Sequence, residues 1–165
     1  MSARRSPRKA SRKSGREAFS TAIYVYCVGA LEELAPLFEG DLPSPIQSPA
    51  SLEIVAEGDL AAVVSAVPLA DYGEEVIQER LSDPAWVAEH AMRHELVVEH
   101  FARRANVIPL RFGTIYLSRE AVGKMLGEKG RPLRATLVLL DGREEWGVNV
   151  YVDRAQLRQS VAEVS

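Results

Sequence analysis

Two histidines four residues apart, His90 and His94, are the first residues whose type and spacing could do chemistry. On a helix such a pair shares one face, and two imidazoles so placed can hold a zinc ion. Glu89, Glu95 and His100 lie close by in the chain. A hydrolytic H-E-x-x-H motif would need a glutamate at position 91, where Ala91 stands. His94 also falls on the apolar stripe of its helix, where a packed histidine with one satisfied nitrogen is the plainer reading. Arg111 precedes Phe112 and Gly113, and an arginine beside a glycine can clamp a carboxylate or a phosphate. Packing offers an alternative for it, an internal ion pair with Glu144 or Glu145. Gly113 stands alone, so no glycine-rich phosphate loop accompanies the arginine. A small metal- or anion-dependent enzyme built on His90, His94 and Arg111 is therefore one reading of these residues.

Other signs of catalysis are sparse. Cys27 lies among Tyr24, Val25, Tyr26 and Val28 and reads as a small buried hydrophobe in a strand. A single cysteine leaves no internal disulfide framework and no cysteine-rich zinc site. No serine sits in a G-x-S-x-G setting, and the pairs Glu32-Glu33, Glu74-Glu75 and Glu144-Glu145 read as solvated surface. Trp86 and Trp146 read as core anchors, and either could serve as an interface hot spot.

The elements that must position these residues follow from pattern. Aromatic and β-branched residues over 21–28 predict a strand, followed by a short helical turn through Leu31, Leu34 and Leu37. Three prolines and two serines over 41–49 predict an exposed connection. Residues 52–57 and 60–67 predict a hairpin about Gly58-Asp59. Asp83 as N-cap and Pro84 at the first helical position open a helix that runs to 105, with Asn106 as its C-cap. Its apolar stripe is Val87, Ala91, His94, Val97, Val98 and Phe101, at steps of three and four.

A strand over 107–112 follows. Ser118 caps the next helix, with Leu117 and Val122 as a hydrophobic staple. Gly127 and Gly130 end that helix, and Pro132 opens another whose stripe is Leu133, Leu137 and Leu140. A last strand places Trp146, Val148, Val150 and Val152 on one face and Gly147, Asn149 and Tyr151 on the other. Asp153 caps a final helix. This order predicts an α+β fold: a ferredoxin-like antiparallel or mixed sheet with helices mainly on one face.

Composition and charge bound the function classes. An apolar fraction of 47% and a charged fraction of 26% in 165 residues describe one globular body that needs no staples. No apolar run reaches the roughly eighteen residues that would span a bilayer, and the basic start has no apolar segment after it. The expected location is the cytoplasm. Arg4, Arg5, Arg8, Lys9, Arg12, Lys13 and Arg16 face one acid, Glu17, so the start is basic and the remainder acidic. Residues 1–18 are expected to form a disordered basic tail, because they carry too few apolar side chains to order themselves. Such a tail could tether an adaptor to nucleic acid, but no aromatic is interleaved with its charges. A solvated leader is the reading preferred here.

Five segments, in order, carry a family likeness. They are Tyr24-Val25-Tyr26, Leu60-Ala61-Ala62-Val63-Val64-Ser65, Ala91-Met92-Arg93-His94-Glu95, Val107-Ile108-Pro109-Leu110-Arg111-Phe112-Gly113-Thr114, and the strand that opens Glu145-Trp146-Gly147. Over roughly residues 21–152 the chain resembles the gas vesicle protein GvpF/GvpL family. That resemblance implies a ferredoxin-like domain over 19–152, followed here by a C-terminal helix over 153–165 in place of the usual helix-rich second domain. It implies a non-enzymatic accessory protein of gas vesicle assembly, in the cytoplasm or on the vesicle. The implied partners are the hydrophobic shell protein and other accessory proteins, with no membrane, no nucleic acid, no small-molecule substrate and no cofactor. Arg111, Phe112, Trp146 and Tyr151 are the expected scaffold or contact residues.

Overall fold

The computed structural model describes residues 21–143. The basic leader, the strand expected to contain Trp146 and Tyr151, and the helix expected after Asp153 lie outside the described residues.

Strand β1 (Thr21–Ala30) leads through helix α1 (Leu31–Leu34) and a 3-10 turn (Ala35–Glu39) to the hairpin β2 (Leu52–Glu57) and β3 (Leu60–Pro68). Helices α2 (Leu69–Tyr72), α3 (Glu74–Arg80) and α4 (Pro84–Ala102) follow, then β4 (Val107–Pro109) and β5 (Ile115–Tyr116). Helices α5 (Arg119–Glu128) and α6 (Gly130–Leu140) close the described chain. The sheet runs β2-β3-β1-β4, with β5 also on β1 and every pairing antiparallel. Placing the fourth strand beside the first gives the β-α-β-β-α-β plan of a ferredoxin-like α+β fold.

The hairpin turns as its sequence requires. Glu57 is opposite Leu60, leaving only Gly58 and Asp59 to reverse the chain. Gly58 takes φ +60°, a conformation that suits the first central position of a tight two-residue turn and that only glycine adopts freely.

Both faces of the sheet are covered. On β3, Ala61, Val63 and Val67 enter one core, and Leu60, Ala62 and Val64 enter the other, in strict alternation. Strand β1 breaks that alternation with a bulge: Val25 is opposite Val64 and Cys27 opposite Val63, so Tyr26 is an extra residue. The slip turns Tyr24, Tyr26 and Cys27 all toward the first core and Val25 and Val28 toward the second. Helices α1 to α4 pack on the tyrosine face through Leu34, Tyr72, Ile77, Val97, Val98 and Phe101. Helices α5 and α6 cover the opposite face through Val122, Met125, Leu126 and Leu137.

Several expected boundaries move. Strand β4 ends at Pro109, not at 112, because a turn begins beyond Leu110. Helix α4 ends at Ala102 with Arg103 as its C-cap. Asn106 serves a different end: its side-chain amide donates to the Leu137 carbonyl of α6 at 2.7 Å, and its backbone N–H donates to Glu33 at 2.8 Å. Ser118 caps α5 as expected, accepting from Ala121 N–H, but Leu117 stays largely in solvent and closes no staple on buried Val122. Gly127 lies inside α5, and α6 already begins at Gly130.

Candidate functional site

The hallmark segment is a loop thrown out of the chain that pairs with β1 through β4 and β5, the last strands of the sheet among the described residues. Cys27 is opposite Pro109 and Tyr24 is opposite Ile115, so six steps of that chain run beside three of β1. Arg111, Phe112 and Gly113 are the excess. Ladder bonds close on either side of them, Leu110 N–H to the Tyr26 carbonyl at 2.9 Å and Val25 N–H to the Thr114 carbonyl at 3.0 Å. Thr114 folds the loop back, its N–H and hydroxyl both donating to the Arg111 carbonyl, at 3.1 and 2.7 Å. Gly113 takes φ +83°, which a side chain at that position would oppose.

The loop is held from beneath by Tyr24 and His94. Gly113 N–H donates to the Tyr24 hydroxyl at 3.0 Å, which lies 3.0 Å from His94 Nδ1, and His94 Nε2 lies 3.2 Å from the Leu110 carbonyl. One proton arrangement fits all three contacts. A carbonyl only accepts, so His94 carries its proton on Nε2. Nδ1 is then the acceptor and takes the tyrosine proton, while the tyrosine oxygen accepts from Gly113. Both ends of the excess loop are thus tied to one buried pair. Burial pushes the Tyr24 hydroxyl far above its ordinary range and keeps it protonated. Burial also lowers the His94 pKa, against smaller upward pulls from Glu95 and the Leu110 carbonyl, so the ring is neutral.

Aromatic rings complete the packing. His94 stacks on Tyr26 at 5.8 Å, and Phe112 comes edge-on to His94 at 6.0 Å and stands 6.2 Å from Trp86. Tyr26 anchors a second loop, accepting from Ile46 N–H at 2.9 Å and bonding Ser65 Oγ at 2.8 Å.

The two helical histidines do not converge on a metal. His90 is buried, stacked 4.0 Å from Trp86, with Nδ1 donating to the Trp86 carbonyl at 2.9 Å. Both nitrogens of His94 are engaged by protein, so a metal there would have to displace Tyr24 or Leu110. Among the described residues no three His, Cys, Asp or Glu side chains gather closely enough to hold a metal ion. Arg111 is exposed in the loop, and the acids expected to pair with it, Glu144 and Glu145, lie outside the described residues. Cys27 is fully buried, and burial pushes its thiol up to about 12, which leaves no thiolate for attack.

Two open clefts flank this region. One, of about 250 Å³, is lined by Gln47, Asp71, Tyr72, Arg80, Trp86 and His90; there Asp71 pairs with Arg80 at 3.1 Å and the Arg80 guanidinium stands 5.7 Å from the Trp86 ring centre. The other, of about 630 Å³, opens beside β4 at Asn106, Val107 and Pro109. Neither takes in His94 or Arg111. The spacing of His90 and His94 was legible in the sequence, but the partnership of Tyr24 with His94 and Gly113 was not. Those residues are 70 and 89 positions apart from Tyr24, and no local pattern joins them.

Fold and site together define, among the described residues, an α+β body whose buried polar groups satisfy one another, with the signature loop clamped beside β1. The sequence model of the gas vesicle synthesis protein GvpL/GvpF family matches residues 22–165. A curated relative, gas vesicle protein L of Streptomyces sp. (strain CB03234), is 32% identical over 145 residues, covering 85% of this chain and 51% of the relative. The chain belongs to the GvpL/GvpF family, and it spans about half the length of the curated relative it matches. No solved structure matches the chain. Among the described residues no helix is long and apolar enough to cross a membrane.

Two outcomes test this geometry. Tyr24→Phe strips Gly113 N–H and His94 Nδ1 of a common partner inside the core, and should cost about 1–3 kcal/mol in urea unfolding; an unchanged midpoint would contradict the clamp. His94 has a folded pKa below its ordinary 6.5, so the unfolded chain takes up the proton first. The stability it contributes is whole above about 6.5 and drains away as pH falls toward the depressed folded value. Unfolding midpoints measured at stepped pH should show that loss flattened in His94→Gln; an unchanged pH dependence would contradict it.

Proposed function

We propose that this chain is a non-enzymatic accessory protein of gas vesicle assembly, acting in the cytoplasm and at the vesicle. It binds the hydrophobic shell protein, other accessory proteins of the set, or both. Residues 19–152 are read as the family's N-terminal domain, with Arg111, Phe112, Trp146 and Tyr151 as scaffold and contact residues.

The observation that carries this reading is the closure of the polar network under the signature loop. A reacting site needs a group left poised for substrate, a base or nucleophile within reach of a cavity. Here the most suggestive candidate, His94, spends both nitrogens on holding Gly113 and Leu110 in place. What that effort stabilises is the shape of the loop beside β1, with the Phe112 ring turned inward and Arg111 left outward. A rigid loop with an outward guanidinium is suited to recognising a partner, because little ordering remains to be done on binding. The name of the relative, gas vesicle protein L, supports the biological setting.

Co-expression with the shell protein and the other accessory proteins, followed by affinity capture of the full chain, tests the proposal. Capture should recover at least one of them, and Arg111→Glu should lower that recovery about tenfold, equivalent to ~1.4 kcal/mol, without moving the melting temperature. Recovery of none of the set by the wild-type chain would overturn the function. Undiminished recovery by the variant would remove Arg111 from the contact.

A further inference from the structure

Four of the large apolar side chains most exposed among the described residues sit on two helices that cover opposite faces of the sheet. On α4, Met92 is 61% and Leu96 54% exposed, continuing from Ala85 and Ala88 at steps of three and four. Glu89, Glu95 and Glu99 border this stripe. On α6, Val138 is 78% and Leu139 57% exposed, beside exposed Ala135, Arg131 and Arg134. Each stripe points away from the sheet that its helix covers. An isolated apolar side chain on a surface needs no explanation, but ordered stripes on two helices do.

The charge around the two stripes is opposite in sign. Positions 69–104 hold eight acidic and four basic side chains, whereas positions 119–143 hold six basic and three acidic. Some of these charges already meet at the surface: Glu89 with Arg93, Glu99 with Arg103, and Arg134 with Asp59. Exposed pairs of this kind are worth little and exchange partners readily, so they do not cancel the field of either face.

We infer that the outer face of α4 docks onto the outer face of α6 of a second copy of this chain. Charge selects that occupant. Setting α4 against α4 would oppose acid to acid, and α6 against α6 base to base, whereas α4 on α6 joins unlike fields around apolar centres. Because the two faces lie on opposite sides of one sheet, the contact is head to tail. It does not close on two copies, and it grows into chains or into a ring where the rotation permits. The protein thereby forms its own repeating array, whatever other partner the signature loop engages.

Sedimentation velocity on the full 165-residue chain tests this. At about 0.05 M salt the mean mass should rise with concentration past two copies, and at about 0.5 M the association should weaken roughly tenfold as charges are screened. Leu96→Lys and Val138→Asp each spoil one face at an exposed position, and each should remain monomeric with an unchanged melting temperature. An equimolar mixture of the two should associate again, since each supplies the intact face that the other lacks. A chain that stays monomeric at every concentration overturns the inference. So does association that survives in either single variant, or a mixture no larger than its components.

Discussion

One buried contact, the Tyr24 hydroxyl against the His94 imidazole, sets the conditions for the rest of this structure. It joins the central strand to α4, and through Gly113 and Leu110 it fixes both ends of the loop that carries the family likeness. Inside a core, a hydroxyl or an imidazole without a partner costs far more than a satisfied pair contributes. The four polar groups therefore constrain one another: displace the loop, and a donor or acceptor is stranded among Tyr26, Phe112 and Trp86. Conservation of the packing and conservation of the loop's shape become the same requirement.

The sheet makes that contact possible. Tyr26 is the extra residue of the β1 bulge, and the slip it causes brings Tyr24, Tyr26 and Cys27 onto one face. The same strand faces a three-residue excess on its other neighbour, at Arg111, Phe112 and Gly113. Irregularities on both flanks of β1 fall at the level of His94, where bulges commonly re-aim side chains. At the far edge, Arg119 donates to the Ile54 carbonyl at 2.6 Å and pairs with Glu53, which blunts β2 as a template for stray strands.

Much of this was readable from the sequence. The hairpin at Gly58, the Asp83 cap with Pro84 behind it, the Ser118 cap and the stripe from His94 to Phe101 all depend on neighbours within a few positions. Local pattern records such things directly, and so does the family likeness carried by the segment from Val107 to Thr114. The strand expected over 107–112 fails where the partner strand runs out of register, a fact held by residues 23–29 and invisible at 110. Asn106 sits where a helix cap is expected, but its amide is spent on α6 instead. His90 is no member of the expected helical stripe, yet it is buried, with Trp86 stacked on its ring. The first two differences are set by contacts far away in the chain, which no window of sequence contains, and the third by a stacking within one helical turn.

The proposed role in recognition rests on a clamped loop beside β1 and on two oppositely charged helical faces. The most direct measurement of that claim is nitrogen NMR of the His94 ring, taken together with hydrogen exchange at the Gly113 amide. The expected result near neutral pH is a neutral imidazole protonated at Nε2, with a Gly113 amide that exchanges only when the core opens. A ring protonated at Nδ1, or an imidazolium beside a Gly113 amide that exchanges like an exposed loop, would contradict it.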